Sequence, residues 1–327
     1  MVTFQNGLDT GVLLAAEILG RGIAIDYCDL SLADWRQPTS AYLARLPVAQ
    51  ILSVDPSATP AFRVSQPRTA NVEEYSVILQ RKDPPVDETY IGHARHFSAA
   101  PSHIVQMNHP DLTWRFSEHL LPQRYPDFAV PTFLCKSYEE FHHTVRSQKG
   151  ESVAKPIHFC SGIGIEFFRG DAADADLKRY WEQWQPQVIV QPYLEEVTRS
   201  GDLRILVMNH RTVGWVLRKP KPGGRLANLH QGGSAHAGHP SPVQFAAAKA
   251  ISADLCPKGL YLLGLDFIGD HLTEVNITCP SAVPQINQTM GIHAEVAIID
   301  ELEALRKNAL SPREPFRPFV DHSAPIR

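Results

Sequence analysis

The sequence predicts an α/β protein, grading into α+β towards its end, and three observations predict it. Its 327 residues exceed one domain at roughly 150 residues each, so two or three cores are expected. Amphipathic helical patterns alternate with short apolar runs from the start of the chain. Strand-like runs then dominate the last third.

The elements follow in chain order. Asp9 or Thr10 can cap a helix whose Leu13, Leu14, Ile18 and Leu19 share a face, ending at Gly20-Arg21-Gly22. Ile23 to Tyr27 reads as the next strand. A helix feeding a strand is half of a βαβ unit, whose first strand has to lie within Met1 to Leu8, with Val2-Thr3-Phe4 its candidate. That unit looks clipped short. Ser53 to Asn71 is polar and reads as a connection. Tyr75 to Gln80 is a strand, and Arg81-Lys82-Asp83-Pro84-Pro85 follows at its carboxyl end, where open α/β sheets place ligands. Ser102 to Met107 is a further strand, and Asn108-His109-Pro110 closes the first domain.

Leu112 to Leu120 then reads as a helix, Ala129 to Leu134 as a strand, and Ser137 to Arg146 as a helix capped by Ser137 with Glu140 three residues on. Val153 to Pro156 and Ile163 to Phe168 are strands around a loop with Ser161-Gly162. Leu177 to Gln183 is helical and Val188 to Leu194 is a buried strand. Four more strands are expected at Leu203 to Met208, Thr212 to Arg218, Leu263 to Ile268 and Thr273 to Thr278. Helices are expected at Ser241 to Asp254 and Ile292 to Leu305. In the latter, Ile292, Val296, Ile299, Leu302 and Leu305 recur at spacings of 4, 3, 3 and 3. From Ser311 on, four prolines in 17 residues predict an irregular tail.

Composition excludes several classes. There are 31 Lys+Arg against 35 Asp+Glu, a net charge of −4, which argues against a general nucleic-acid binder. Nowhere do about 18 apolar residues run together, and Met1 to Leu8 lacks a signal peptide's basic start and apolar core, so the expectation is a cytoplasmic protein without a membrane partner. The five cysteines are far apart and form no Cys-x-x-Cys pair, so neither a disulfide framework nor a zinc knuckle is indicated. Of the histidines, His93 with His96 and His236 with His239 lack a third ligand and read as surface or hydrogen-bonded groups.

Chemistry concentrates between Gly264 and Asn276. Two apolar strands meet at Gly269-Asp270, and side-chain alternation puts Glu274 and Asn276 on one face, with Asp266 able to lie opposite on the antiparallel partner. Two carboxylates and an amide suit Mg²⁺, which completes its shell with water and phosphate oxygens. A solvated hairpin face is the alternative. The strands are otherwise Leu, Ile, Val and Phe, so these polar groups would be buried and would need a partner. From Arg199 to Arg225, seven basic residues stand against one acid, Asp202, a basic stripe of +6. Arg204 and Arg218 fall within apolar strands, where guanidinium groups usually meet carboxylate or phosphate. Lys219 to Gly233 is the kind of Gly/Pro/Lys-rich loop that closes over a ligand.

These residues resemble the bacterial glutathione synthetases of the ATP-grasp superfamily. The resemblance rests on Leu79 to Pro85, on Gln191-Pro192-Tyr193-Leu194 followed by Gly201-Asp202-Leu203-Arg204, on Arg218 with Asn228-Leu229 and Gly232-Gly233, and above all on Gly259-Leu260 through Thr278. It implies an ATP-grasp fold behind an N-terminal βαβ (pre-ATP-grasp) domain. The implied pieces are an N-terminal domain over 1–107, a small lid subdomain over 108–187, a metal-bearing subdomain over 188–310 and a tail over 311–327.

The resemblance also implies roles. Glu274 and Asn276 match magnesium (or manganese) ligands, with Asp266 an additional carboxylate. Lys155 matches a lysine that reaches ATP phosphates, Gln191, Tyr193 and Leu194 a hinge that meets the adenine, and Asp202 an acid beside the ribose. Arg204 and Arg218 match catalytic basic residues near the transferred phosphate. Arg81 matches a peptide-binding arginine, and Asn228 joins it as a substrate-binding position. The implied reaction is ATP-dependent ligation of γ-glutamylcysteine and glycine through an acyl phosphate, in a homo-oligomer. The alternatives are a sibling peptide ligase with other substrates and a non-catalytic binder. Three departures are visible. A phosphate-binding lysine after Glu118 is replaced by His119. The usual Asp-Gly-x-Gly-Gly loop reads Ile157 to Gly164 with fewer glycines. Leu203 replaces the lysine before Arg204.

Overall fold

The computed structural model describes residues 9–29, 45–98, 100–159 and 162–309, so the expected strand within Met1 to Leu8 and the expected irregular tail lie outside the described residues. Asp9 is the N-cap of α1 (Thr10–Gly20), its carboxylate accepting from Gly11 N at 2.5 Å. β1 (Asp26–Cys28) covers only the end of the expected strand and runs antiparallel to β2 (Arg45–Val54). β3 (Phe62–Val64) and β4 (Arg68–Asn71) also pair with β2, so a four-stranded antiparallel sheet stands where a connection was expected. Its short members hide their period: β4 buries one residue, Ala70, between exposed polar ones. β5 (Val77–Leu79) and β6 (Val105–Met107) are parallel neighbours joined through α2 (Glu88–Ser98). Among the described residues this is the β-α-β crossover, later in the chain than the one expected around α1.

α3 (Pro110–Arg115) starts earlier and stops sooner than the helix expected over 112–120. His109 caps it and Pro110 fits its first turn, whereas the chain after Arg115 leaves helical geometry and carries Glu118 against the backbone of Ile277 and Thr278. β7 (Phe133–Cys135), α4 (Tyr138–Ser147), β8 (Ser152–Pro156), β9 (Glu166–Phe168), α5 (Asp174–Trp184) and β10 (Val188–Pro192) make the second layer. The sheet is antiparallel in the order β7-β10-β8-β9. Thus β10, on the C-terminal side of the expected 187/188 boundary, pairs within the small sheet. Ser137 caps α4 as expected, accepting from Glu140 N at 3.2 Å, while the Glu140 carboxylate reaches back to Lys136 N. Phe141, Leu177, Tyr180 and Trp181 fill the space between the two helices and the sheet, with the Phe141 and Tyr180 rings stacked at 5.6 Å.

The third sheet contains α6 (Glu196–Ser200) at its entry, then β11 (Asp202–Met208), β12 (Arg211–Lys219), β13 (Ser234–His236), α7 (Pro242–Leu255), β14 (Leu262–Ile268) and β15 (His271–Asn276). Its order is β13-β12-β11-β14-β15, all antiparallel. Alternation divides its apolar residues. Leu203, Ile205, Val207, Leu263, Leu265 and Phe267 pack with α7, and Leu206, Met208, Val216 and Leu262 pack with α8 (Val283–Met290), α9 (Ala294–Ala309) and α1. Arg204 and Asp266 continue the second of these faces. No helix among the described residues is long and apolar enough to cross a membrane.

Candidate active site

Register brings the charged residues together. Arg204 lies opposite Asp266, Asp202 opposite Arg218, and Asp266 opposite Glu274. Gly201 makes the entry to β11 possible: its φ is 82°, and a Cβ there would sit 2.4 Å from Arg218 O. Arg204 grips Asp266 with two parallel bonds, Nε to Oδ1 at 2.7 Å and Nη2 to Oδ2 at 2.6 Å. Arg218 Nη2 bridges Asp202 Oδ1 at 2.5 Å and Asp266 Oδ2 at 3.0 Å. Arg204, Arg218 and Asp266 are 8%, 5% and 3% exposed, so these three charges, with Asp202 at the cleft, neutralise one another largely out of water. Burial alone would raise the Asp266 carboxyl, but the two arginines hold it well below the usual carboxylate range. Asp202 goes the other way, raised by burial against the pull of Arg218. Arg218 Nε is buried without a hydrogen-bond partner.

The basic stripe is therefore not one surface. Arg204 and Arg218 are neutralised inside the sheet, and Arg225 is paired with Glu151 on the other sheet. Antiparallel neighbours put Arg204 and Arg218 each beside a carboxylate, so basic and acidic side chains interleave as pairs.

Glu274 and Asn276 emerge on one face of β15, as alternation requires. Asn276 Nδ2 donates to Gly264 O at 3.1 Å and to Asp266 Oδ2 at 3.2 Å, so its carbonyl oxygen is the atom available to a cation. Asp266 already accepts from two arginines and this amide. Among the described residues no three His, Cys, Asp or Glu side chains form a metal-holding group by themselves. The donor set of Glu274, the Asn276 oxygen and a shared Asp266 is all hard oxygen and incomplete. It fits a divalent cation that takes the rest of its shell from water and phosphate.

Across from these residues the small sheet closes a cleft lined by His119, Lys155, Gln191, Tyr193, Leu194 and Asp202, together with Asn228, Asp266 and Glu274. The structure thus gathers the expected nucleotide residues. Arg81 stands apart, outside this lining, with Nη1 donating to Pro280 O at 2.7 Å in the segment after β15. Desolvation lowers the pKa of the half-buried Lys155 ammonium, with Glu274, Asp202 and Asp266 pulling the other way. His119 is also lowered by burial; its Nε2 lies 3.1 Å from Phe159 O and its Nδ1 3.3 Å from Glu274 Oε1. At the hinge, Gln191 Nε2 donates to Thr132 Oγ1 at 2.8 Å and Tyr193 N to Glu151 O at 2.8 Å. Among the described residues Leu194 N–H keeps no such partner.

Sequence reasoning passed over three contributors. The Arg225 guanidinium lies 3.7 Å from the Phe167 ring centre and 4.4 Å from that of Tyr193, so the basic loop is stacked onto the small sheet across the cleft. Phe159 supplies the carbonyl that His119 faces. Glu118 Oε1 accepts from Ile277 N at 2.5 Å, Thr278 N at 2.7 Å and Thr278 Oγ1 at 3.0 Å, tying the linker to the end of β15 next to Asn276. Burial pushes its carboxyl up to about 7, with the Glu274 charge adding and the three donors opposing. The only sequence signal for Glu118 was its place before His119, and charge alone does not announce burial.

Comparison with known proteins agrees with this geometry. Residues 1–112 match the family model described as prokaryotic glutathione synthetase, N-terminal domain, and residues 118–291 match prokaryotic glutathione synthetase, ATP-grasp domain. Glutathione synthetase of Parasynechococcus marenigrum (strain WH8102) is 31% identical over 277 residues, spanning 83% of this chain and 89% of the relative. That of Ralstonia nicotianae is 31% identical over 310 residues, 92% of each chain. Among solved structures, D-cycloserine synthetase DcsG is similar with a TM-score of 0.57 at 18% identity, covering 72% of this chain and 86% of the other. The RimK domain ATP-grasp protein from Sphaerobacter thermophilus has a TM-score of 0.53 at 16% identity, covering 89% and 94%; both show the fold. With two domain models spanning most of its length, the chain belongs to the prokaryotic glutathione synthetase family and is an ATP-dependent amide-forming ligase of ATP-grasp fold.

Proposed function

We propose that this ligase joins γ-glutamylcysteine to glycine at the expense of ATP, with Mg²⁺ (or Mn²⁺) as its cation. The observation that carries it is the register of Asp266 against both Arg204 and Glu274, facing Lys155 across the cleft. A carboxylate oxygen of the donor peptide attacks the γ-phosphorus, and ADP leaves with the electron pair of the broken P–O bond. The amine nitrogen then attacks the acyl carbon, phosphate departs with its C–O pair, and the nitrogen gives up a proton. Lys155 supplies charge to the phosphates, and the free Arg218 Nε supplies a donor to the oxygens that gain charge. Arg204 keeps Asp266 ionised and in place. Arg81, beside Pro280, holds the peptide carboxylate, and Asn228 contributes from the loop. Glu274, Asn276 and Asp266 would hold the cation, which when bound neutralises phosphate charge. The loop from Lys219 to Gly233 excludes water, which would otherwise hydrolyse the acyl phosphate. The expected division at 107/108 remains our reading of the first domain boundary, whereas the pairing of β10 within the small sheet supports a second boundary after Pro192 in place of 187/188; a cytoplasmic site, where ATP is available, is our reading of the location.

The test is ADP release with γ-glutamylcysteine, glycine and Mg²⁺. Dependence on both substrates is the expected result. Turnover with a different acid and amine would move the chain to a sibling ligase, and ATP binding without turnover would overturn the proposal.

A further inference from the structure

A second cleft, of about 470 Å³, lies on the other side of His119 and Phe159 from the nucleotide site. By the same measure the nucleotide cleft offers about 100 Å³, so the second is the roomier of the two in this conformation. Its walls come from three places: the loop after β5 (Pro84, Val86), the linker after α3, and the near edge of the small sheet (Leu134, Ile157). The walls are apolar and the rim is cationic. Arg115, Arg124 and Lys136 all border it, and among the described residues Arg115 and Lys136 make no ion pair, whereas Arg124 is paired with Asp254 at 3.3 Å. The acid in the lining, Glu118, does not neutralise them, because its carboxylate is committed to Ile277 and Thr278.

Two further groups in the wall, Trp114 Nε1 and Ser117 Oγ, are buried without a hydrogen-bond partner. An indole N–H can only donate, and a buried donor with no acceptor is costly. The Trp114 ring is itself flanked by guanidinium groups, Arg95 at 5.2 Å and Arg115 at 5.3 Å from its centre. Unspent donors and unneutralised cations around an apolar hollow complement one kind of molecule: a small anion with an apolar or aromatic body.

We propose that this cleft binds such an aromatic or apolar carboxylate, sulfonate or phosphate as an effector of the ligase. His119 and Phe159 belong to both clefts, so an occupant pressing on the Phe159 segment shifts the group that His119 faces in the nucleotide site. Binding here does not require the ligase reading; the effect on ATP rests on it.

The probe is 8-anilinonaphthalene-1-sulfonate, followed by fluorescence on the full chain held at saturating ATP and Mg²⁺. The expected result is saturable binding that ATP does not displace and that Arg115→Glu with Lys136→Glu weakens at least tenfold. Both side chains are exposed and outside the nucleotide cleft, so basal ADP release in the double variant stays at the parent level. Displacement by ATP, indifference to the charge reversals, or no saturable binding would overturn the site. Saturating probe is expected to change the KM for ATP at least threefold, and an unchanged KM would overturn the coupling. Fluorescence does not depend on turnover, so a chain found inactive as a ligase would still pass or fail the binding test.

Discussion

At the scale of single residues, Glu274 and Glu118 show how the same side chain acquires opposite duties from its surroundings. Glu274 keeps an oxygen at the cleft, so Glu274→Gln removes a charge the cation needs; turnover should fall at least 100-fold, measured as ADP release, with the fold intact by circular dichroism. Unchanged turnover would remove Glu274 from the metal set. Glu118 faces backbone donors, and its folded value of about 7 stands above the ordinary 4.5. Below 4.5 the carboxyl is neutral in both states and its contribution is fully present; as pH rises through about 7 that contribution is lost. The melting temperature of the parent should therefore fall relative to that of Glu118→Gln between pH 4.5 and 7 and level off above, by the equivalent of about 3 kcal/mol. A difference that is flat with pH would contradict this assignment. His119 stands where the family resemblance implies a lysine. His119→Lys should lower the KM for ATP about threefold or more by restoring a cation to the phosphates, and a higher KM would show that position 119 does not reach them.

At the scale of elements, the site depends on antiparallel register. A one-residue slip of β14 against β11 would turn Asp266 away from Arg204 and bury it among Leu and Ile, which is why the two-sided apolar packing of this sheet matters to the chemistry. The long strands of this sheet were legible because their apolar runs are continuous. β3 and β4 were not, because they are short and half-exposed, and α2 was hidden by Gly92 and its polar residues. The loop from Lys219 to Gly233 acts through Arg225, which spans the cleft to Phe167, Tyr193 and Glu151. Arg225→Ala should loosen that loop. Amide hydrogen exchange across residues 223–233 should then speed up, and ADP release should exceed amide formed as the acyl phosphate meets water. An ADP-to-amide ratio that stays at one would mean that the stacking does not seal the site.

At the scale of the whole molecule, ATP binding has to bring two sheets and a loop to one place. The cleft is lined from the small sheet, the third sheet and the loop after β12, so ATP with Mg²⁺ should fix their arrangement. At 100 times the dissociation constant this stabilises the fold by about 2.7 kcal/mol, a rise in melting temperature on the order of 5 °C for a chain of this size. Excess EDTA should abolish most of that rise, and a shift indifferent to EDTA would remove the cation from nucleotide binding. The sequence by itself determined the family, the class of fold and the identities of the acids, lysine and arginines, because motifs and strand alternation are local properties of the chain. Tertiary structure alone decided their partnerships. The neutralised Arg204, Arg218, Asp202 and Asp266 cluster, Glu118 bonded to Ile277 and Thr278, and Arg225 lying across the cleft all join residues distant in sequence. Which charges neutralise one another and which stay free depends on register and burial, and neither is written in the spacing of residue types.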